Sequence, residues 1–125
     1  MYLVDTNIFL EILLGQKNSQ PCKDFLYENT GKLNMTDFSL HSIGVILFRY
    51  EKEDVFAIFA EDILPSVTLH TLPLDGYSQI AAVKQEYGMD FDDCYQCVVA
   101  KTQGLTVVTM DADFKKAKNT SVLFI

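Results

Sequence analysis

Short runs of strand-forming residues recur along this chain, each stopped by a turn and followed by a stretch with helical periodicity, and this constrains the fold more than any other feature. Residues 2–4 form an apolar run halted at Asp5, with Thr6 placed to cap a helix that carries Ile8, Leu10, Ile12, Leu13 and Leu14 as far as Gly15. A second helix is expected from Ser19, with Pro21 in its first turn and Phe25 and Leu26 on it, until Asn29-Thr30-Gly31 ends it. Residues 33–35 read as a short strand. Ser39 then opens a long helical region with Ile43, Leu47 and Tyr50 at helical spacing. The charged residues 51–54 separate it from a further stripe of Val55, Phe56, Phe59 and Ile63, closed by Pro65. Residues 67–72 alternate as a strand does, and Pro73 ends them. Asp75 is placed to cap a helix through Ile80, Val83 and Tyr87 to Gly88, and Asp92 or Asp93 to cap another over residues 94–103. Residues 105–109 are β-branched and uncharged, as a buried strand requires, and residues 121–125 read as a last strand. Strands alternating with helices predict an α/β sandwich around a mainly parallel sheet.

The 125 residues, 49% apolar and 22% charged, suit one globular domain over residues 1–125. Repeats and linker-like stretches are lacking. Three cysteines, an odd number, argue against a disulfide framework and for a reducing compartment. The opening has no basic flank or small-residue cleavage site, and no apolar run reaches the roughly 18 residues of a membrane span, so a cytoplasmic protein with no membrane contact is expected. The net charge is −7 and Arg49 is the one arginine. Such a chain repels polyanions, so any nucleic-acid role must come from a local feature such as a bound cation. The simpler reading is an acidic surface that keeps the chain in solution.

In a parallel sheet, ligands bind beyond the carboxyl ends of the strands. Asp5 follows the first strand, Asp37 the second and Asp111 the 105–109 strand, while Asp92 and Asp93 begin the helix that feeds that strand. Carboxylates brought together repel one another, and a cation relieves the repulsion. An oxygen-only set favours Mg²⁺ or Mn²⁺ over Zn²⁺. Taken singly, each of these residues serves equally well as a helix cap.

Three segments, Leu3-Val4-Asp5-Thr6-Asn7-Ile8-Phe9-Leu10, Asp93-Cys94-Tyr95-Gln96-Cys97-Val98-Val99-Ala100 and Val107-Val108-Thr109-Met110-Asp111-Ala112-Asp113-Phe114, together resemble the PIN domain, the fold of the VapC ribonuclease toxins. The resemblance implies a three-layer α/β/α sandwich, Mg²⁺- or Mn²⁺-dependent cleavage of RNA and, for the toxin branch, neutralisation by a cognate antitoxin. It assigns the catalytic, metal-holding acids to Asp5, Asp93 and Asp111, with Asn7 assisting the first. The family's remaining acid, a glutamate on the helix after the second strand, falls at Ser42, where no carboxylate stands. Asp37, Asp92 or Asp113 are candidates to supply that charge. Losing one carboxylate weakens a site's hold on a metal, so a non-catalytic PIN-like module working through protein contacts stands as the alternative to a ribonuclease. A phosphatase using Asp5 as nucleophile lacks the Asp-x-Asp pair and is set aside.

The remaining features carry less. His41 sits on a mostly apolar helix and is read as filler rather than ligand or base, and His70 is a strand position. Cys94 and Cys97 form a Cys-x-x-Cys pair, read as packing residues because the chain has no second ligand pair for zinc. Lys115, Lys116 and Lys118 form the one local basic cluster and are read as a solvated face. Phe48, Val55, Phe56, Ile58 and Phe59 exceed what one helix face buries on a small sheet, so a homodimer is expected.

Overall fold

The computed structural model describes Met1–Ile125. Five strands, β1 (Tyr2–Val4), β2 (Leu33–Thr36), β3 (Thr68–His70), β4 (Thr106–Thr109) and β5 (Val122–Phe124), form one sheet in the order β3-β2-β1-β4-β5. Every neighbouring pair is parallel. Six α-helices cover it: α1 (Thr6–Leu13), α2 (Ser19–Glu28), α3 (Asp37–Arg49), α4 (Glu53–Asp62), α5 (Tyr77–Tyr87) and α6 (Phe91–Gln103).

Alternation along the central strands builds a core on each face. Leu3 and Val107 point into one core with Cys94, Val98 and Phe114, and the neighbouring Val4 and Val108 point into the other with Ile8, Phe9, Ile43 and Phe59. Burying each such side chain contributes roughly 1.5–3 kcal/mol. The α/β/α layering follows directly, with α5 and α6 on the first face and α1 to α4 on the second.

Several helix starts differ from the sequence expectation, three of them earlier and that of α5 later. Asp5, not Thr6, caps α1: it lies in the extended region and its Oδ1 accepts from the Thr6 N–H at 2.7 Å. Thr36, not Ser39, caps α3, accepting from the Ser39 N–H at 3.0 Å. Asp90 occupies the cap position of α6 with no side-chain cap bond, leaving Asp92 and Asp93 in the first turn. Asp75 falls inside a 3₁₀ turn, Leu74–Gly76, ahead of α5. In each of the first three cases the chain leaves its strand or loop in extended conformation and the last extended residue becomes the cap.

The separation expected at residues 51–54 is present as a break between α3 and α4, where Glu51 takes φ 57°. The third strand is shorter than the alternation over 67–72 predicted, and its Leu69 faces outward, because β3 is an edge strand with a single partner. Cys22, Cys94 and Cys97 are all buried and unbridged. Burial raises the Cys94 thiol above its ordinary value and pushes Cys97 up to about 11, which suits packing and not redox chemistry. His70 hydrogen bonds Asn34 Oδ1 at 2.7 Å, stitching β3 to β2. No helix is long and apolar enough to cross a membrane.

Candidate functional site

Parallel pairing brings the carboxyl ends of β2, β1 and β4 side by side, and the polar residues just beyond them share that edge. Val4 pairs with Val108, and the Asp5 N–H continues the ladder by donating to the Val108 carbonyl at 2.9 Å. The Asp5 carboxylate is thereby set opposite Thr109. Its Oδ2 accepts from Thr109 Oγ1 at 2.7 Å, and its Oδ1 accepts from Gln96 Nε2 at 2.8 Å as well as from the Thr6 N–H. Asp5 is buried, and that burial raises its pKa. Its three hydrogen bonds pull the other way, and the charge of Asp111 adds to the rise.

Thr109 serves both sides of the site. Its hydroxyl donates to Asp5, accepts from the Asp111 N–H at 2.9 Å and receives Asn7 Nδ2 at 3.5 Å. The turn after β4 is thus tied to the end of β1. Asp111 in turn caps the 3₁₀ turn Ala112–Lys116, its Oδ1 accepting from the Asp113 N–H at 2.9 Å. This folds Asp113 back beside Asp111.

One carboxylate oxygen from each of Asp93, Asp111 and Asp113 lies within 4.8 Å of the others. Asp93 is buried, Asp111 half-buried and Asp113 exposed, so the cluster runs from the protein interior to solvent. Asp93 is pushed up to about 7, first by burial and then by Asp92, Asp5, Asp111 and Asp90. Asp5 therefore lies close enough to act on Asp93 electrostatically, although its own oxygens are engaged by Thr6, Gln96 and Thr109. Lys116 approaches Asp113 at 3.9 Å with both side chains about half exposed, a contact worth little.

The remaining sequence candidates fall elsewhere. Asp92 is exposed at the start of α6. Asp37 accepts, through Oδ1, from the Phe38 N–H and from the Tyr95 hydroxyl, both at 2.8 Å. It lines a cavity of about 390 Å³ together with Ser42, His41 and a group of aromatic rings. Ser42 is half-buried in the wall of that cavity. Lys115 and Lys118 are exposed.

Two residues without a sequence signature of their own hold the site together. In the sequence Thr109 is simply the end of a strand. Gln96 lies in α6 within an unbroken run of buried residues, Asp93–Ala100, and is itself 2% exposed. A glutamine at such a position is the available signal, because a buried amide needs a partner.

The residues present suit a hard divalent cation. The donors are all oxygen, three carboxylates converge, and two neutral amide oxygens, Asn7 Oδ1 and Gln96 Oε1, are buried with no hydrogen-bond partner beside the Asp5 and Thr109 network. Orphaned acceptors beside clustered carboxylates match a site made for a cation and its waters.

A parallel-sheet protein with an acidic, oxygen-only cluster beyond its central strands defines the class. The PIN domain family model matches residues 2–119, and the chain belongs to that family. Solved structures with the same fold include a toxin-antitoxin complex from Klebsiella pneumoniae at 20% identity and TM-score 0.79, covering 98% of this chain and 96% of that one. FitAcB from Neisseria gonorrhoeae matches at 23% identity and TM-score 0.76, with 98% and 96% covered. Mycobacterium tuberculosis VapC20, described as a Sarcin-Ricin loop cleaving toxin, matches at 16% identity and TM-score 0.80, with 94% and 95% covered. None of the curated proteins matches the chain by sequence.

Proposed function

We propose that this chain is a Mg²⁺- or Mn²⁺-dependent endoribonuclease, acting in the cytoplasm as the toxin of a toxin-antitoxin pair. The observation that carries the reading is the convergence of Asp93, Asp111 and Asp113 beside the buried Asp5. Membership of the PIN family and the toxin-antitoxin descriptions of structural neighbours support it. In this reading Asp5, Asp93 and Asp111 hold the ion, and Asp113 supplies the charge that Ser42 does not. When bound, the ion would supply a water more acidic than bulk water and a positive charge for phosphate oxygens.

The chain's own residues prepare the site. Gln96, Thr109 and the Thr6 N–H hold Asp5 in a single orientation and favour its charged form against its burial. Asn7 steadies Thr109 through its amide nitrogen. In the ion-free protein burial and the neighbouring acids push Asp93 up to about 7, so loading a cation there releases a proton near neutral pH.

The acidic surface suits a basic antitoxin, and the apolar face of α3 and α4 suits a docked helix or a second copy. There Val45, Phe48 and Ile58 are each more than half exposed. Ser42 favours a second reading, a PIN module that binds partners without cleaving. Mn²⁺ titration followed by incubation with RNA separates the two: saturable binding with metal-dependent cleavage supports the enzyme, and neither supports the module.

A further inference from the structure

None of Asp93, Asp111 and Asp113 lines the cavity beside Asp37. Two of its rings, Tyr77 and Phe91, pack against the buried Tyr95 at centroid distances of 5.9 and 6.3 Å yet remain 41% and 53% exposed. Phe91 also packs on Phe38 at 6.0 Å. Tyr95 in turn is fixed, accepting from the Leu72 N–H and donating to Asp37 Oδ1. The result is a rigid aromatic platform open to solvent. At its edge Asp37 uses Oδ1 for both of its internal bonds, while Oδ2 accepts none.

We propose that this cavity is a subsite for one unpaired nucleobase carrying an exocyclic amino group, guanine foremost. The inference rests on the ribonuclease reading and deepens it. Away from a bound cation, a chain of net charge −7 repels RNA phosphates, and the wall of this cavity adds the Asp37 carboxylate, with His41 its one basic side chain. A base is neutral, and stacking on aromatic rings is indifferent to the surrounding acid. A carboxylate only accepts, so it pairs with amino and imino N–H groups on a base edge. Guanine presents two side by side, whereas uracil flanks its single N–H with carbonyls that Asp37 repels. Position agrees as well: Asp37 follows β2 and Asp111 follows β4, two strand spacings or roughly 10 Å apart, within the span of a dinucleotide.

The test is an NMR titration of the full chain with GMP, AMP, CMP and UMP in Mg²⁺, with RNA cleavage in Mn²⁺ measured separately. Saturable shifts of the Tyr77, Phe91 and Tyr95 signals are expected, with GMP about tenfold tighter than UMP. Phe91→Ala, at a half-exposed position, should weaken GMP by about tenfold while the protein stays folded with a modestly lowered melting temperature. Asp37→Asn should erase the preference for GMP over UMP. Shifts confined to residues 93 and 111–113, equal affinity for UMP and inorganic phosphate, or a response only to arginine-bearing peptides would overturn the proposal. Nucleotide binding without RNA cleavage by wild-type protein would remove the ribonuclease reading and leave the subsite standing; cleavage without nucleotide shifts would do the reverse.

Discussion

Asp93 carries the site's main conflict between burial and charge. Burial and the charges of Asp92, Asp5, Asp111 and Asp90 raise its pKa from 3.8 to about 7, and Asp5 is raised in the same direction. Both groups hold a proton more tightly folded than unfolded. In the ion-free protein the folded state therefore takes up protons between about pH 7 and pH 4, gaining stability as pH falls through that window and losing it as pH rises. A bound cation relieves the same repulsion. Thermal melts should show Mg²⁺ raising the melting temperature more at pH 8 than at pH 5, and an equal rise at both would detach these carboxylates from the metal. Gln96 offers a second prediction at this scale. Gln96→Leu removes the donor to Asp5 Oδ1, a hydrogen bond to a charged group worth about 1.5–3 kcal/mol, and should weaken Mn²⁺ binding by roughly tenfold or more in calorimetry. Unchanged affinity would make Gln96 a packing residue only.

At the level of elements, the helix that follows β2 decides how this chain differs from the family pattern. Thr36, Ser39 and Thr6 link its start to that of α1, since Ser39 Oγ accepts from Thr6 Oγ1 at 2.9 Å and from Thr36 Oγ1 at 3.1 Å. Ser42 stands one turn further on in the cavity wall. Ser42→Glu should strengthen Mn²⁺ binding by about tenfold to a hundredfold if a glutamate there reaches the acids. A variant that melts lower and gains nothing from Mn²⁺ would place position 42 outside the metal site. The strands and the acids beyond them are legible in the sequence, because an apolar or β-branched run stopped by aspartate and followed by helical spacing fits a buried parallel strand and its exit turn. The caps are not, because Asp5 and Thr6, or Asp90, Asp92 and Asp93, are equally able to cap, and only the strand or loop exit chooses among them. Asp113 is legible in the sequence as one of three candidates for the missing charge, and the 3₁₀ turn capped by Asp111 is what sets it, and not Asp37 or Asp92, in the cluster. Gln96 escapes because periodicity says nothing about which polar atom meets which.

For the whole molecule, the sheet order places β1 between β2 and β4, so one edge collects the acid cluster and the aromatic cavity while the α3 and α4 face stays clear of that cluster. That face, with Phe48 and Phe56 lining an open groove, is expected to be covered by a second copy or a partner helix. Sedimentation at high micromolar concentration should give a dimer for the wild type and a monomer for Phe48→Glu, and a monomeric wild type would leave the face to the partner alone. Above all, the acid cluster is expected to act as a divalent-metal centre that supports RNA cleavage. Calorimetric Mn²⁺ titration of wild type and Asp93→Asn, each then assayed on RNA with Mn²⁺ and with EDTA, tests this most directly. Saturable Mn²⁺ binding and EDTA-sensitive cleavage are expected for the wild type, with binding lost and cleavage down at least about a hundredfold in Asp93→Asn. Cleavage that survives both EDTA and the substitution, or Mn²⁺ binding untouched by Asp93→Asn, would contradict it.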